Sequence, residues 1–194
     1  MKKLLLINPR NYLKSGLLNY EFSNFPPLGL GILATLTPDN WEIEIFDENF
    51  DDFQFIEADF VGFTAFTGNA YRAYQIADIY RKKGIPTIMG GIHVSMIPEE
   101  AEKFIDTVVT GEAESIWPTV INDFEHNRLQ KRYTGIRLKA HQLVPARHDL
   151  FHRRYSVDTI QTTRGCPWRC EFCTVHAFNG TVYRQRPIDD VLDE

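Results

Sequence analysis

The sequence is poor in cysteine, in basic residues and in long apolar runs. Only three cysteines occur in 194 residues, all between positions 166 and 173, and one odd-numbered cluster argues against a disulfide framework. The 26 acidic residues outnumber the 21 basic ones, and this net charge of −5 argues against binding to nucleic acid. No apolar run approaches the ~20 residues that span a bilayer, so no membrane association is expected.

The N-terminal apolar run resembles a secretory signal only briefly. It ends at Asn8-Pro9-Arg10 and is not followed by a small-residue cleavage site. We interpret residues 3–8 as a buried strand. A reducing compartment keeps clustered thiols available to metal, so the sequence predicts a cytoplasmic protein.

Short apolar strands alternate with helical segments over the first 130 residues. Strands are predicted at 3–8, 41–46, 59–64, 85–89 and 106–110, and helices at 27–36, after 68, after 98 and up to about 126. This alternation is typical of an α/β fold with a doubly wound, mostly parallel sheet, here with five strands. Ligands of such sheets bind beyond the carboxyl ends of the strands, here at the loops 8–16, 47–49, 64–69, 90–95 and 110–114.

The alternation weakens after residue 130, which divides the chain into three parts. Residues 1–130 are predicted to form the α/β domain, and the basic, histidine-rich stretch 131–157 a linker with room for a hairpin. A new strand is predicted at 159–163, at the start of a second unit over 158–194.

The cysteines of that second unit, Cys166, Cys170 and Cys173, form a C-x3-C-x2-C motif. Soft thiolate ligands select zinc, copper(I) or iron–sulfur clusters. A [4Fe–4S] cluster normally takes four cysteines, so three leave one iron open to a small-molecule ligand. Structural zinc is the alternative, because His176 would complete a Cys3His set.

The motif resembles the signature of the radical S-adenosylmethionine (SAM) superfamily. It follows a predicted strand directly, Phe172 precedes the last cysteine, and the flanks Thr163-Arg164-Gly165 and Arg184-x-Arg186 match too. The resemblance covers residues 158–194 and implies a [4Fe–4S] cluster on the three cysteines. It also implies SAM on the open iron, reductive cleavage to a 5′-deoxyadenosyl radical, and Phe172 beside the cluster and adenine.

This resemblance covers only the first strand, loop and helix start of a (β/α) barrel, because several βαβ units do not fit into 158–194. We therefore expect the parent protein to be an enzyme that acts on a small-molecule substrate with an electron donor such as flavodoxin or ferredoxin. The 194 residues alone are expected to show no catalytic turnover of a substrate. Their unpaired barrel strand is expected to invite self-association.

The first domain carries a second resemblance, to the N-terminal domain of cobalamin-binding-type radical SAM proteins. The segments that carry it occur in family order: Pro26-Pro27-Leu28-Gly29-Leu30, Asp47, Gly90-Gly91-Ile92-His93, Pro98-Glu99-Glu100 and Val109-Thr110-Gly111-Glu112. The resemblance implies a flavodoxin-like sheet over residues 1–130. It also implies cobalamin as a further cofactor, and methyl transfer or cyclisation as the chemistry.

The cobalamin contacts implied by this resemblance lie at three strand ends. They are Thr64, Thr67, Gly90, Gly91, Gly111 and Glu112. The same residues would also serve as turn residues of any α/β sheet. The first strand is followed by Asn8-Pro9-Arg10-Asn11-Tyr12 and not by the family's D-x-H-x-x-G, which excludes a histidine ligand to cobalt by that route. His93 is interpreted as a hydrogen-bonding or solvated residue.

Two further functions remain open beside the radical SAM enzyme. One is a non-catalytic module that binds cobalamin or another nucleotide-bearing ligand, and the other is a zinc-stabilised protein. The binding module requires ligand binding that survives replacement of all three cysteines. The zinc-stabilised protein requires about one zinc per chain and unfolding of the C-terminal segment by a chelator.

Overall fold

A sheet of parallel strands, six of them in the described part of the chain, forms the body of the protein. The structure is a computed structural model that describes residues 1–11 and 25–194. The strands lie in the order β2-β1-β3-β4-β5-β6, and each neighbouring pair is parallel. They are β1 (Lys2–Asn8), β2 (Trp41–Asp47), β3 (Phe60–Thr64), β4 (Thr87–Gly90), β5 (Thr107–Thr110) and β6 (Arg132–Thr134). The predicted α/β class and mostly parallel sheet are confirmed.

Helices cover both faces of this sheet. They are α1 (Leu28–Thr35), α2 (Thr67–Arg81), α3 (Ile92–Met96), α4 (Pro98–Ala101) and α5 (Trp117–Glu125). Residues from α2 and α3 pack into one apolar core, whereas residues from α1 and α5 pack into the other. The alternating side chains of β1 serve both cores, because Leu5 and Ile7 belong to the first and Leu4 and Leu6 to the second. A strand buried on both faces explains the continuous apolar run at the N-terminus.

Over the residues that the structure describes, the sheet has six strands where five were predicted. The additional strand, β6, lies in the stretch 131–157 that was predicted to be a linker. Tyr133 is its one buried residue, and its neighbours Arg132 and Thr134 are exposed. A three-residue edge strand of this composition has no apolar periodicity to reveal it. The short helix α3 was likewise predicted as part of a loop.

Two short antiparallel strands flank the three cysteines in the chain, and we call this pair of strands the hairpin. Strand β7 (Thr163–Arg164) pairs antiparallel with β8 (Arg184–Gln185), so the strand predicted at 159–163 starts late and is short. Helix α6 (Val175–Asn179) lies between these strands, and α7 (Ile188–Asp193) follows them. Gly165 has φ of +87°, and a Cβ there would lie 2.1 Å from the carbonyl oxygen of Val182. The turn into Cys166 therefore requires glycine.

None of the helices within residues 1–11 and 25–194 is long and apolar enough to cross a membrane. The predicted loop 8–16 is described only as far as residue 11, and the rest of that loop lies outside the described residues.

Candidate functional site

A cavity of about 290 Å³ lies at the carboxyl ends of β3, β4 and β5. Parallel α/β sheets bind their ligands beyond the carboxyl ends of their strands, which is where this cavity lies. The sheet side of the cavity includes Thr64, Gly90 and Gly111, and helix α1 borders it with apolar residues. The lining from the sheet and its helices includes Leu6, Leu28, Gly29, Ile32, Gly62, Ala65, Gly91, Val109 and Trp117.

The same cavity borders the cysteine-bearing segment. Gln161, Arg164, Phe178 and Asn179 line it, and they lie before and after the three cysteines in the chain. The α/β domain and the hairpin therefore share one concave surface, whose walls are mainly apolar and whose polar groups are few. Such a surface is typical of a site for a small molecule or cofactor.

The structure brings five of the six predicted cobalamin contacts to this cavity. Thr64, Gly90, Gly91, Gly111 and Glu112 line it. Thr67 instead contacts His93, with 3.3 Å between its Oγ1 and Nδ1 of the imidazole. The role of these residues in binding cobalamin stays a prediction.

His93 is buried and contacts the polar side chains around it. Its Nε2 lies 3.1 Å from the hydroxyl of Tyr74 and 3.2 Å from Oε1 of Glu100, and its side chain is 4% exposed. Burial, followed by the charge of Glu100, raises the pKa of Tyr74 well above its usual value, so this phenol stays protonated. These contacts agree with the interpretation of His93 as a hydrogen-bonding residue.

The carboxylate of Glu112 joins the sheet to the hairpin. Arg184 in β8 donates through Nη1 to Oε2 at 2.9 Å and through Nη2 to Oε1. Nη1 of Arg164 in β7 lies 3.4 Å from Oε2, and the backbone N–H of Leu138 donates to the same oxygen at 2.9 Å. The Glu112 side chain is only 1% exposed, so these contacts are shielded from solvent.

A second carboxylate balances the charge of this cluster. Glu114 accepts a hydrogen bond from Nη2 of Arg164, and Nε of Arg164 donates to Oε1 of Gln161 at 2.7 Å. Two glutamates therefore face two arginines, as buried ionised groups require.

Glu112 stays ionised in this setting. Burial alone would raise the pKa of its carboxyl group, but the hydrogen bonds from Arg184 and Leu138, together with the positive charges of Arg164 and Arg184, outweigh it. The pKa of Glu112 is therefore below its usual value.

The three cysteines are free thiols in the loop that follows β7. Cys170 is exposed, and Cys166 and Cys173 are partly buried. The backbone N–H of Cys166 donates to the carbonyl of Gly180 at 3.0 Å, which closes the base of the loop. Phe172 is 93% exposed, and its predicted place beside a cluster and adenine stays a prediction.

The thiols are not gathered into a finished metal site. Within residues 1–11 and 25–194, no three His, Cys, Asp or Glu side chains are grouped so that they could hold a metal ion, with or without His176. The donor set still fits an iron–sulfur cluster by its chemistry, because three thiols lie within eight residues of a solvent-accessible loop. The cavity likewise fits part of a flat, nucleotide-bearing cofactor by its position and apolar walls.

Comparison with known proteins decides the family. A sequence model of the B12 binding domain matches residues 20–121, which is more than half of the chain. The chain belongs to the B12-binding domain family. Most residues that line the cavity, from Leu28 to Trp117, lie within the matched range.

The relatives of this B12-binding domain protein include named methyltransferases. The bacteriochlorophyllide d C-8(2)-methyltransferase of Chlorobaculum tepidum is 40% identical over 84% of the chain. The C-12(1)-methyltransferase of the same organism is 31% identical over the whole chain, and the hopanoid C-2 methylase of Rhodopseudomonas palustris is 25% identical over the whole chain. The chain spans 39%, 44% and 40% of the length of these three relatives, respectively.

Sequence reasoning missed the partners of Glu112. Arg164 and Arg184 were noted only as flanks of the cysteine motif, yet they lie 52 and 72 positions away from the carboxylate that they contact. The sequence did contain one indication of this contact, because each short strand of the hairpin carries an arginine.

Proposed function

We propose that this chain supplies the cobalamin-binding domain and the SAM-cleaving cysteine loop of a cobalamin-dependent methyltransferase. The match to the B12 binding domain supports the cobalamin part, and the methyltransferase relatives support the reaction. The C-x3-C-x2-C motif supports the SAM-cleaving part.

One structural observation carries this proposal. The cavity at the carboxyl edge of the sheet is lined both by the B12-binding domain and by the segment that bears the three cysteines. A ligand in this cavity would lie against Arg164 and Phe178, which precede and follow the cysteine loop in the chain, and two cooperating cofactors need such proximity.

Different residues of the chain would hold the two cofactors of the proposed site. Cys166, Cys170 and Cys173 would hold a [4Fe–4S] cluster, and the strand-end glycines Gly90 and Gly91 would let cobalamin approach the backbone closely. When bound, the cluster supplies the electron for reductive cleavage of SAM, and cobalamin supplies the methyl group for transfer. The apolar walls of the cavity would exclude water from the bound cofactor.

Two partners complete the proposal. The small-molecule substrate would bind to parts of a longer enzyme, and a low-potential protein such as flavodoxin or ferredoxin would deliver electrons to the exposed cysteine loop.

The first test is anaerobic reconstitution of the wild type and of Cys170→Ala with iron and sulfide. We expect about four irons per chain, a reducible [4Fe–4S] EPR signal that changes on addition of SAM, and loss of the signal in the variant. Tyr71→Phe, at a position on α2 that is 72% exposed and does not line the cavity, serves as a control for protein handling.

The contrary outcomes separate the alternatives. Stoichiometric zinc without iron would support a zinc-stabilised protein. Cobalamin binding that is unchanged after replacement of all three cysteines, without any cluster in the wild type, would leave a binding module and overturn the SAM-cleaving part.

A further inference from the structure

The hairpin that carries the cysteine loop is held to the sheet by an unusually buried set of charges. The side chain of Glu112 is 1% exposed, that of Arg164 7% and that of Arg184 11%. Buried charges of this kind hold one geometry, because breaking one contact leaves another charge without a partner in a low-dielectric region.

The position of these contacts matters more than their strength. Arg164 lies two residues before Cys166, and Arg184 lies on the strand that pairs with it. One carboxylate therefore contacts both strands of the hairpin at the base of the cysteine loop. Arg184 also donates to the backbone carbonyls of Leu138 at 2.6 Å and Asn179 at 2.9 Å, which ties α6 to the same point.

Glu112 is fixed from the sheet side as well. It follows Gly111, which has φ of +75° and lies so close to Gly135 that a Cβ would be 2.3 Å from the carbonyl oxygen of that residue. This position therefore has no room for a side chain. Both Gly111 and Glu112 line the cavity, as does Arg164. A molecule in the cavity would therefore lie against both Glu112 and Arg164, which form one of the two contacts between this carboxylate and the hairpin.

We propose that Glu112 is a positioning residue that holds the cysteine hairpin against the cavity and couples occupancy of the cavity to the order of the cysteine loop. The cofactor part of this inference rests on the proposed function, whereas the positioning part rests on the side-chain contacts alone. Because coupling is reciprocal, a ligand that orders the loop binds more tightly when the loop is ordered.

The first experiment measures amide hydrogen exchange in the wild type and in Glu112→Gln. Removing the charge is expected to raise exchange in residues 160–166 and 180–187 by about tenfold and to leave β1 and β3 unchanged. The matched control is Glu102→Gln, which removes one of the two carboxylates that contact Arg132 at the amino end of β6 and is expected to leave the hairpin unchanged. Equal exchange in Glu112→Gln and wild type, or an equal rise over the whole sheet, would overturn the positioning role.

A second variant tests the positioning role if Glu112→Gln alone does not fold. In Glu112→Gln/Arg184→Gln both partners of the closest pair are neutral, and Arg164 keeps its contact with Glu114. This variant is expected to fold and still to show faster exchange in the hairpin. If it folds with wild-type exchange in the hairpin, the proposal is wrong.

The coupling is measured by the rate at which N-ethylmaleimide modifies the three cysteines of the cluster-free chain. Hydroxocobalamin is expected to slow modification of the wild type about fivefold and to have no such effect on Glu112→Gln. The same response in both proteins would overturn the coupling. If equilibrium dialysis shows that the wild type does not bind hydroxocobalamin, the proposed function fails and the coupling with it, while hydrogen exchange still decides the positioning role.

Discussion

The hydroxyl group of Tyr155 donates a hydrogen bond to Oδ2 of Asp47, across 108 positions of the chain. Asp47 ends β2 and is 5% exposed, and Asn8 at the end of β1 donates to the same oxygen at 3.1 Å. Burial and the nearby charge of Asp47 raise the pKa of Tyr155 well above its usual value, so the phenol remains a donor. This contact fixes the segment after β6 to the carboxyl edge of the sheet.

Removal of this hydroxyl is expected to destabilise the protein. Tyr155→Phe keeps the ring against Phe50 but leaves the buried carboxylate of Asp47 without one donor. We expect a loss of about 1–3 kcal/mol in the free energy of unfolding, measured by urea denaturation. Tyr71→Phe, at a position that is 72% exposed, is the control and should change stability little. Equal stability of Tyr155→Phe and wild type would show that the contact is not formed.

The pair of Glu48 and Arg72 gives a second prediction about the same edge. The Glu48 side chain is 2% exposed and accepts hydrogen bonds from Nη2 of Arg72 at 2.6 Å and from the backbone N–H of Arg10 at 3.1 Å. Glu48→Gln is expected to lower the free energy of unfolding by about 3 kcal/mol, because a neutral amide replaces the buried carboxylate that accepts hydrogen bonds from Arg72 and Arg10.

The control for Glu48→Gln is Asp78→Asn. Asp78 forms an exposed pair with Lys82 on α2, and its loss should cost only about 0.3–0.5 kcal/mol. A similar, small effect of both substitutions in urea denaturation would contradict the buried pairing of Glu48.

His148 makes the stability dependent on pH. Burial alone would lower its pKa, but hydrogen bonds to Glu194 at 2.9 Å and Asp158 at 3.0 Å outweigh this and raise it. The charged form is favoured in the folded protein, so its stabilisation is complete below the unfolded pKa of about 6.5 and is lost as the pH rises through the folded value.

The test compares wild type with His148→Gln in urea at about pH 5.5 and about pH 8.5. At the lower pH, the free energy of unfolding of the wild type should exceed that of His148→Gln by about 0.5–1 kcal/mol. This difference between the two proteins should shrink at the higher pH. His141→Gln, at an exposed position, is the matched control. A difference that grows with pH would contradict the ion pairs of His148.

The binding mode of the cobalt ion provides a spectroscopic prediction. The first strand lacks the histidine of D-x-H-x-x-G, and His93 is held by Tyr74, Glu100 and Thr67. Bound cob(II)alamin is therefore expected to show no EPR splitting from a histidine nitrogen, and His93→Gln should leave the spectrum unchanged. Histidine splitting that disappears in His93→Gln would contradict this account.

Much of the fold is predictable from the sequence, because buried strands and amphipathic helices leave periodic apolar patterns. The strands at 41–46 and 59–64 and the helix after residue 68 correspond to β2, β3 and α2 within one or two residues. Strand β6 was missed because an edge strand with one buried residue, Tyr133, has no such pattern.

The site was predictable only in part. The strand-end residues Thr64, Gly90 and Gly111 could be located because parallel strands end at one edge of the sheet. The contact of Glu112 with the hairpin could not, because it depends on how a distant segment packs against that edge. The sequence predicted the thiol donors but did not predict that the loop leaves Cys170 exposed and the set unassembled.

We propose above that the cavity bordered by the cysteine-bearing segment binds cobalamin. Gly90 tests it directly, because a Cβ there would meet its nearest atom, the carbonyl oxygen of Val109, at an ordinary 3.7 Å. Gly90→Ala therefore adds a methyl group at the lining without backbone strain, and Gly90→Val adds two further carbons at the same point, whereas Gly91, with φ of +105°, does not tolerate a side chain.

The measurement is a spectrophotometric titration of hydroxocobalamin into wild type, Gly90→Ala and Gly90→Val, with urea denaturation of each protein to confirm folding. The account predicts one cobalamin per wild-type chain and a dissociation constant that rises from alanine to valine, by at least about tenfold for valine, while stability changes by about 1 kcal/mol or less. Failure of the wild type to bind hydroxocobalamin, or equal affinity in all three proteins, would contradict it.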